Sequence, residues 1–444
     1  VTRLFRQASK QPQPQPTSQP HPCHQHQHRP FLRTKQKLPC IIHYHTRKIS
    51  TAIIVLLFLL FLSCRHIVSL VPHSMSFSIP TQKDAPPPLN VALLGAGIFA
   101  TTAHAPILRK YSNKFNVVAV YSRRLEPAST LASTFTSAKA YTNVEEVLNI
   151  PNLDAVIMAL PLDVQPSFIP MVLERGIHVL SEKPIAPTVQ IGKQLLQHYQ
   201  SILNTQNKPK HVVWSVAENY RYEPALTRAS KSILVDDDIG TPFLFRLYVG
   251  SPFTPDNKYL NTQWRKESSW GDGGLFVDAF VHASALLRLI LPISSSSTTA
   301  RISAITSSHA KHIPGVDTMI TNVIYDPIQL SGSISATYAC THMKFELEVI
   351  GTHGTLHLSR NVDKPGYHLK VDSVKEGKSS SSWEEDFGFG GIELEFLGFA
   401  AHCQQLENDC NTPLEALKDL AFVEACLESG KNNGDFVILK EDDL

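Results

Sequence analysis

From residue 89 onwards, short β-branched apolar runs alternate with longer segments in which apolar residues recur at helical spacing. This alternation is typical of a parallel sheet that is covered by helices on both faces. The predicted helices span 98–110, 127–136, 166–175 and 189–203, and the predicted strands span 90–94, 116–121, 154–160, 177–180 and 211–217. We therefore expect a doubly wound α/β domain, to which we assign residues 75–217.

Beyond residue 218 the pattern changes to closely spaced strands with few helices between them. Such runs favour an antiparallel sheet, so residues 218–444 are expected to form a second, α+β domain whose largely antiparallel sheet has one open face. The predicted elements are helices 224–234 and 413–429 and strands 243–249, 301–306, 319–325, 331–338, 345–350 and 355–359. Because an exposed sheet of this size is normally covered, we expect a homodimer or a higher homo-oligomer formed through it.

Residues 1–74 differ in composition from the rest of the chain. They contain ten Lys or Arg and no Asp or Glu, whereas the remainder carries 31 basic and 39 acidic residues. One interpretation is that translation starts at Met75 and that the protein is cytoplasmic. The alternative is an organelle-targeting or membrane-anchoring segment, because Arg47-Lys48 precedes an apolar run at 52–62.

The remaining composition narrows the partners and the compartment. The acidic balance beyond residue 74 does not favour nucleic-acid binding. The cysteines in that part of the chain form no CxxC pair, which is typical of free thiols in a reducing compartment. We expect a small-molecule partner.

A glycine-rich turn directly follows the first predicted strand: Gly95-Ala96-Gly97-Ile98-Phe99-Ala100. Gly95 permits a tight turn, Gly97 lets the backbone approach a pyrophosphate, and Ala100 keeps the next helix close to the strand. A diphosphate then lies at the helix N-terminus, where free N–H groups favour an anion. The turn predicts a Rossmann dinucleotide site, with a plain strand-to-helix turn as the alternative. The predicted contacts are Gly95, Gly97, Ile98, Phe99 and Ala100.

The second strand ends in Tyr121-Ser122-Arg123-Arg124. A site that prefers NAD carries an acidic residue at such a strand end, where it accepts the ribose 2′-hydroxyl. Here Ser122 and Arg123 can instead bind a 2′-phosphate, and Arg124 can stack on the adenine. We therefore expect NADP rather than NAD, with a solvated arginine pair as the alternative.

Two further segments carry candidate catalytic residues. Lys183, in Ser181-Glu182-Lys183-Pro184, follows a strand and is expected at the carboxyl edge of the parallel sheet, where ligands bind. Asp278 and His282 lie in an apolar segment at i and i+4, so a helix would present both on one face. A lysine, a carboxylate and an imidazole together favour acid–base chemistry. The alternatives are a surface turn around Lys183 and a structural histidine.

These motifs, in this order, resemble the glucose-fructose oxidoreductase, inositol dehydrogenase and rhizopine-catabolism family (Gfo/Idh/MocA) over about residues 90–439. The resemblance implies that Lys183 contacts the nicotinamide ribose and the reacting oxygen, that His282 transfers the proton, and that Asp278 holds substrate or orients the other two. It also rests on Leu160-Pro161, Glu218-Asn219-Tyr220-Arg221, Asp238-Ile239-Gly240, Trp264-Arg265 and the segment 351–356.

The resemblance further implies cofactor contacts or cofactor-site scaffolding from Leu160, Pro161, Gln165, Glu182 and Arg221. Gln165 is a departure, because the family often has a histidine at that position. The expected function is an NADP-dependent oxidoreductase that transfers a hydride between the nicotinamide and a secondary alcohol or hemiacetal carbon of a sugar, polyol or dihydrodiol-like substrate. A non-catalytic NADP-binding regulatory protein and a cofactor-retaining glycosidase are the alternatives.

Overall fold

The computed structural model describes residues 86–204, 211–262, 274–294, 298–361, 363–374, 379–440 and 443–444. These residues belong to one compact unit, 80–444. The leader 1–74, with its apolar run and Met75, lies outside the described residues, as does the Trp264-Arg265 motif. No helix in the described ranges is long and apolar enough to cross a membrane.

The first sheet has six parallel strands in the order β3-β2-β1-β4-β5-β6, which confirms the predicted doubly wound fold. Its strands are β1 Leu89–Leu94, β2 Phe115–Tyr121, β3 Lys139–Tyr141, β4 Ala155–Met158, β5 His178–Glu182 and β6 Trp214–Ala217. The α-helices between and after them are Ala105–Lys110, Leu125–Ala132, Val144–Leu148, Gln165–Leu173, Val189–Leu203 and Pro224–Leu234, and a 3-10 helix spans Asn219–Tyr222.

The strands of the first sheet are apolar on both faces because helices cover both. In β1, Val91 and Leu93 pack into one buried cluster while Ala92 and Leu94 pack into another. Two helices that follow the second sheet in the chain, Gly391–Cys403 and Pro413–Lys431, complete these clusters. They contribute Phe396, Phe399, Ala400 and Cys403 on one side and Ala416, Leu417 and Leu420 on the other.

The helix after the glycine turn differs from the continuous one predicted over 98–110. A π-helical turn at Ala100–His104 precedes the α-helix Ala105–Lys110. Pro106 lacks a backbone donor and its ring crowds the carbonyl one turn earlier, so a regular α-helical ladder cannot run through it. The wider π turn absorbs this interruption and directs His104 inward, where it is 1% exposed.

The second sheet has nine strands in the order β14-β13-β12-β11-β7-β10-β9-β8-β15. Its pairs are antiparallel except β7 with β10, which agrees with the predicted, largely antiparallel sheet. The strands are β7 Pro242–Gly250, β8 Thr299–Ser307, β9 Thr318–Asp326, β10 Leu330–Thr337, β11 Lys344–Gly351, β12 Gly354–Arg360, β13 Tyr367–Ser373, β14 Ser381–Phe387 and β15 Val437–Lys440. The helices Gly274–Ala279 and Val281–Ile290 lie between β7 and β8 in the chain.

Candidate active site

A cavity of about 1110 Å³ lies at the carboxyl ends of the parallel strands. It is lined by residues of the first sheet and its helices and by residues of the second sheet. The carboxyl edge of a doubly wound sheet is where such folds bind ligands. All the site residues predicted from the sequence line this cavity except Arg221. They are Gly95, Gly97, Ile98, Phe99, Ala100, Ser122, Arg123, Arg124, Leu160, Pro161, Gln165, Glu182, Lys183, Asp278 and His282.

The glycine turn forms an open cradle at one end of the cavity. Gly95 has a φ of +116°, and a Cβ there would lie 2.3 Å from the backbone oxygen of Ala159, so only glycine fits. A Cβ on Gly97 would meet no atom within 4 Å, which leaves the space in front of its backbone free. Ala100 is 1% exposed and packs into the core behind the turn. This geometry fits a phosphate group held by backbone N–H donors.

The end of β2 presents cationic side chains to the same cavity. Arg123 and Arg124 are exposed, and neither guanidinium has a hydrogen-bond or ion-pair partner within the described ranges. Ser122 is held in place by its backbone N–H, which donates to the carbonyl of Tyr141 at the end of β3 (3.1 Å). The strand end therefore offers free charge and a hydroxyl to an anion.

Gln165 begins the helix Gln165–Leu173 and is 1% exposed, yet it lines the cavity. Its Oε1 is buried and accepts no hydrogen bond from any described residue. A buried acceptor without a donor costs about 1–3 kcal/mol, so this atom fits a ligand that supplies an N–H or O–H group. An amide-bearing nicotinamide is a ligand of that kind.

Lys183 follows β5 directly and is fixed by two acceptors on one residue. Its Nζ donates to Oδ1 of Asp278 at 3.0 Å and to the backbone oxygen of Asp278 at 2.7 Å. An ammonium has three N–H donors. Lys183 lines the cavity, and Asp278 occupies two of these donors.

Asp278 and His282 do not lie on one continuous helix. The helix Gly274–Ala279 ends before Phe280, and a second helix runs over Val281–Ile290. The turn tightens where the backbone N–H of Ala283 donates to the carbonyl of Phe280 (3.0 Å), three residues earlier. The two side chains consequently have different partners, Lys183 for Asp278 and Glu218 for His282.

Glu218 was not among the predicted site residues, although the motif that contains it was noticed. It follows β6, is 2% exposed, and its Oε1 lies 2.7 Å from Nδ1 of His282. Burial opposes its ionisation, but His282, the charge of Arg221 and the backbone N–H of Tyr220 outweigh burial and lower the pKa of Glu218. The sequence signal that could have found it is an acidic residue at the carboxyl end of a buried strand.

Glu395 is a second carboxyl group that sequence reasoning missed. It is 2% exposed, lines the cavity and accepts a hydrogen bond from Nδ2 of Asn411 (3.1 Å). Burial, together with the nearby carboxylates of Glu182 and Glu218, raises its pKa well above the ordinary value. The cavity wall therefore contains one buried carboxyl group with a raised pKa, Glu395, while Glu218, whose pKa is lowered, lies behind His282.

The two remaining predicted residues have different surroundings. Glu182 lines the cavity, and its Oε1 lies 2.9 Å from Nε2 of His104, the buried residue of the π turn. Arg221 does not line the cavity: its guanidinium donates to Oδ2 of Asp419 at 2.5 Å. Its positive charge acts instead on Glu218.

Comparisons with known proteins agree with this architecture. Residues 89–205 match the model of an oxidoreductase family with an NAD-binding Rossmann fold, and residues 227–357 match the GFO/IDH/MocA C-terminal domain. Dehydrogenase FPY6 of Fusarium mangiferae is 31% identical over 79% of this chain and 99% of its own length, and the uncharacterized protein YMR315W of Saccharomyces cerevisiae is 29% identical over 80% and 99%. A solved oxidoreductase from Thermotoga maritima is 26% identical with a TM-score of 0.67, covering 80% of this chain and 99% of that one.

The matched family models, the full-length relatives and the site geometry agree with one another. Both matched models fall within the described α/β unit, and the glycine turn, Lys183, Asp278 and His282 lie in a single cavity. The chain belongs to the GFO/IDH/MocA family of NAD(P)-binding oxidoreductases.

Proposed function

We propose that this protein is an NADP-dependent oxidoreductase that transfers a hydride between the nicotinamide and a secondary alcohol or hemiacetal carbon of a sugar, polyol or dihydrodiol-like substrate. The observation that carries the proposal is one cavity in which a phosphate cradle at Gly95 and Gly97 lies together with Lys183 and His282. A cation and a base at one site match the charge changes of alcohol oxidation.

Lys183 and His282 have separate roles in the proposed reaction. NADP, when held by the glycine turn and the end of β2, would supply the hydride acceptor for the carbinol carbon, or the hydride donor in the opposite direction. Lys183, held by Asp278, donates its remaining N–H to the substrate oxygen and stabilises the negative charge that develops there. His282 exchanges a proton with that oxygen, so the hydroxyl proton leaves as the carbonyl forms.

The preference for NADP rests on the end of β2. Arg123 and Arg124 line the cavity without a partner in the described ranges, and no acidic residue occupies Tyr121-Ser122-Arg123-Arg124. Relatives include scyllo-inositol 2-dehydrogenase (NAD(+)) of Bacillus subtilis, 24% identical over 48% of this chain, so family membership alone does not select the cofactor. The proposal of NADP is therefore supported by the end of β2 and not by family membership.

The cofactor preference is tested by titrating the protein with NADPH and NADH. We expect tighter NADPH binding, and Arg123→Ala to weaken NADPH about 10-fold to 150-fold, because a hydrogen bond to a charged group contributes about 1.5–3 kcal/mol. NADH affinity should not change. Arg109→Ala is the control, since Arg109 is also exposed but bonds to Thr134 outside the cavity. Tighter binding of NADH by the wild type would contradict the proposal.

The substrate class follows from the paired cation and base and from the names of relatives. 1,5-Anhydro-D-fructose reductase of Ensifer adhaerens is 27% identical over 55% of this chain and 68% of its own length. The test is a turnover panel of aldoses, cyclic polyols, anhydro sugars and dihydrodiols with NADP⁺, and of their carbonyl forms with NADPH. NADPH binding without any turnover would favour a regulatory protein. Release of a leaving group without net cofactor change would favour a glycosidase.

We also propose that the protein forms a homodimer or higher homo-oligomer through the outer face of the second sheet. Ile305 and Ile320 are directly paired between β8 and β9 and are 66% and 53% exposed, an unusual pair for a solvated sheet. Ile305→Asp with Ile320→Asp should lower the molar mass measured by light scattering. An unchanged mass, or a monomeric wild type, would contradict this.

A cytoplasmic location is the last part of the proposal. Its support is chemical: Cys340, Cys403, Cys410 and Cys426 are all free thiols, as expected in a reducing compartment. Cell fractionation followed by detection of the native protein tests this location. Recovery of the protein in the fraction of an oxidising compartment would contradict it.

A further inference from the structure

We propose that Glu218 is a positioning residue for His282: it keeps a hydrogen on Nδ1 of the imidazole, so that Nε2 is the atom that exchanges a proton with the substrate oxygen. This inference rests on the proposed function, because it assigns the geometry of the proton-transfer group. Glu218 does not touch the reacting atoms itself. It acts through the ring that it contacts.

The tautomer follows from the hydrogen-bonding capacity of the pair. Oε1 of Glu218 lies 2.7 Å from Nδ1 of His282 and also accepts the backbone N–H of Tyr220 at 3.1 Å. An ionised carboxylate can only accept hydrogen bonds. Nδ1 must therefore be the donor, and in the neutral imidazole the lone pair is then on Nε2.

The surroundings keep Glu218 ionised although it is buried. The lowered pKa of Glu218 comes from His282, from the charge of Arg221 and from the Tyr220 N–H, which together outweigh desolvation. Arg221 is itself anchored by Asp419 at 2.5 Å, so its charge stays behind Glu218 and is not available to the cavity. This gives Arg221 a role in the site without contact with a cofactor.

The ring of His282 is also fixed in its plane. It stacks on Tyr220, with centroids 4.8 Å apart and an interplanar angle of 20°. The stack fixes the plane of the ring, and the contact between Nδ1 and Glu218 fixes how the ring is rotated within that plane. His282 lines the cavity and is one quarter exposed, so the other ring nitrogen is the one accessible to a ligand.

Protons and charges balance through the step. When the alcohol is oxidised, its O–H bond breaks, the proton bonds to Nε2, and the hydride goes to NADP⁺. His282 becomes an imidazolium with hydrogens on both nitrogens, and Glu218 stays a carboxylate that stabilises the new positive charge. The reverse reaction returns the proton from Nε2 to the oxygen. A carboxylate in this position needs no proton of its own.

The test compares Glu218→Gln with Glu223→Gln. Glutamine has nearly the same shape but no negative charge, and its amide can either accept a hydrogen from Nδ1 or donate one to it, so the preference for the Nδ1–H tautomer is weakened. Glu223 is a buried glutamate of the same connection, 3% exposed, that accepts the backbone N–H groups of Gly390 and Gly391 and does not contact His282. It therefore reports the cost of losing a buried carboxylate as such.

We expect Glu218→Gln to lower kcat about 100-fold, at the lower end of what general acid–base catalysis contributes. KM and the NADPH dissociation constant should change less than about threefold, because only the proton-transfer step is affected. The solvent deuterium isotope effect on kcat should increase, since proton transfer becomes more rate-limiting. Glu223→Gln should leave kcat and the isotope effect of the folded enzyme unchanged. Glu218→Gln with an unchanged kcat, or with the same losses as Glu223→Gln, would overturn the inference.

A second readout separates this inference from the proposed function. Imidazole nitrogen NMR of the full chain, with the His282 signals assigned through their loss in His282→Ala, reports which nitrogen carries the hydrogen without requiring turnover. We expect the Nδ1–H form in the wild type and a smaller fraction of that form in Glu218→Gln. The same fraction in both proteins would overturn the inference even for an active enzyme. Absence of turnover with every substrate would overturn the proposed function alone.

Discussion

Replacing Gly97 by alanine should separate cofactor binding from folding. A Cβ on Gly97 would meet no protein atom within 4 Å, and its φ lies outside the left-handed region, so the substitution introduces no clash in the free protein. Gly→Ala at a compatible position stabilises a protein by about 0.4–1 kcal/mol through the unfolded chain. The methyl group would nevertheless occupy the open space of the cradle where a pyrophosphate must approach.

The expected loss of affinity follows from the contacts that the methyl group prevents. One backbone hydrogen bond to a charged phosphate contributes about 1.5–3 kcal/mol, so NADPH should bind about 10-fold to 150-fold more weakly to Gly97→Ala. Fluorescence titration measures this dissociation constant, and chemical denaturation without cofactor measures the free energy of unfolding. That free energy should equal or slightly exceed the wild-type value.

Gly95→Ala is the matched comparison, and it should lower the unfolding free energy, which Gly97→Ala leaves unchanged or slightly raised. Its φ of +116° and the 2.3 Å approach to the Ala159 oxygen force the backbone to move. A residue held in such a region costs about 1–3 kcal/mol before the clash is counted, so the unfolding free energy should fall by at least about 2 kcal/mol. NADPH affinity equal to wild type in Gly97→Ala would refute the assignment of the turn as a phosphate cradle.

Three further predictions concern Lys183, the core that is shared with the helix Pro413–Lys431, and the buried carboxyl group of Glu395. Lys183→Met should abolish turnover while NADPH titration gives a dissociation constant within about threefold of wild type. Leu417→Ala should cost about 2–5 kcal/mol of unfolding free energy because the side chain is fully buried, whereas Leu414→Ala, 38% exposed in the wild type, should cost under about 1 kcal/mol. Because the pKa of Glu395 is raised, its contribution to stability is present at acidic pH and is lost as the pH rises; Glu395→Gln should therefore flatten the decrease in unfolding free energy at rising pH. An identical pH dependence in both proteins would contradict that assignment.

Sequence patterns predicted most of the elements whose periodicity reports burial, but they missed β13, whose residues alternate between buried and half-buried. β1 and β4 were found because their residues are covered on both faces and read as apolar runs. β3 and β14 were missed for the opposite reason: β3 has three residues and none is buried, and β14 is mostly exposed. The helix Gly391–Cys403 was also missed, since it buries Glu395 beside its apolar residues and lacks a clear polar face.

The residues of the candidate site likewise fall into those that the sequence could locate and those that it could not. Gly95, Gly97 and Lys183 could be located from the sequence because local motifs, a turn and a strand end, determine their positions. The partners of the candidate catalytic side chains could not be located in this way, because they depend on tertiary packing. Glu218 is 64 residues from His282, and Lys183 is 95 residues from Asp278. The break between the two helices falls at Phe280, a residue buried in the second core.

The positions of Lys183 and Glu218, which contact Asp278 and His282, follow from the pairing of β5 with β6 in the parallel sheet. Glu182 of β5 is in register with Ala217 of β6, so Lys183 and Glu218 occupy equivalent positions one residue beyond neighbouring strand ends. Such strands lie about 4.8 Å apart. Lys183 fixes Asp278 before the break at Phe280, and Glu218 fixes His282 after it. The segment that carries His282 is thereby attached to two adjacent strands, so the pairing of those strands contributes to the spacing between Lys183 and His282. The sequence, in contrast, predicted that a single helix would set the arrangement of Asp278 and His282.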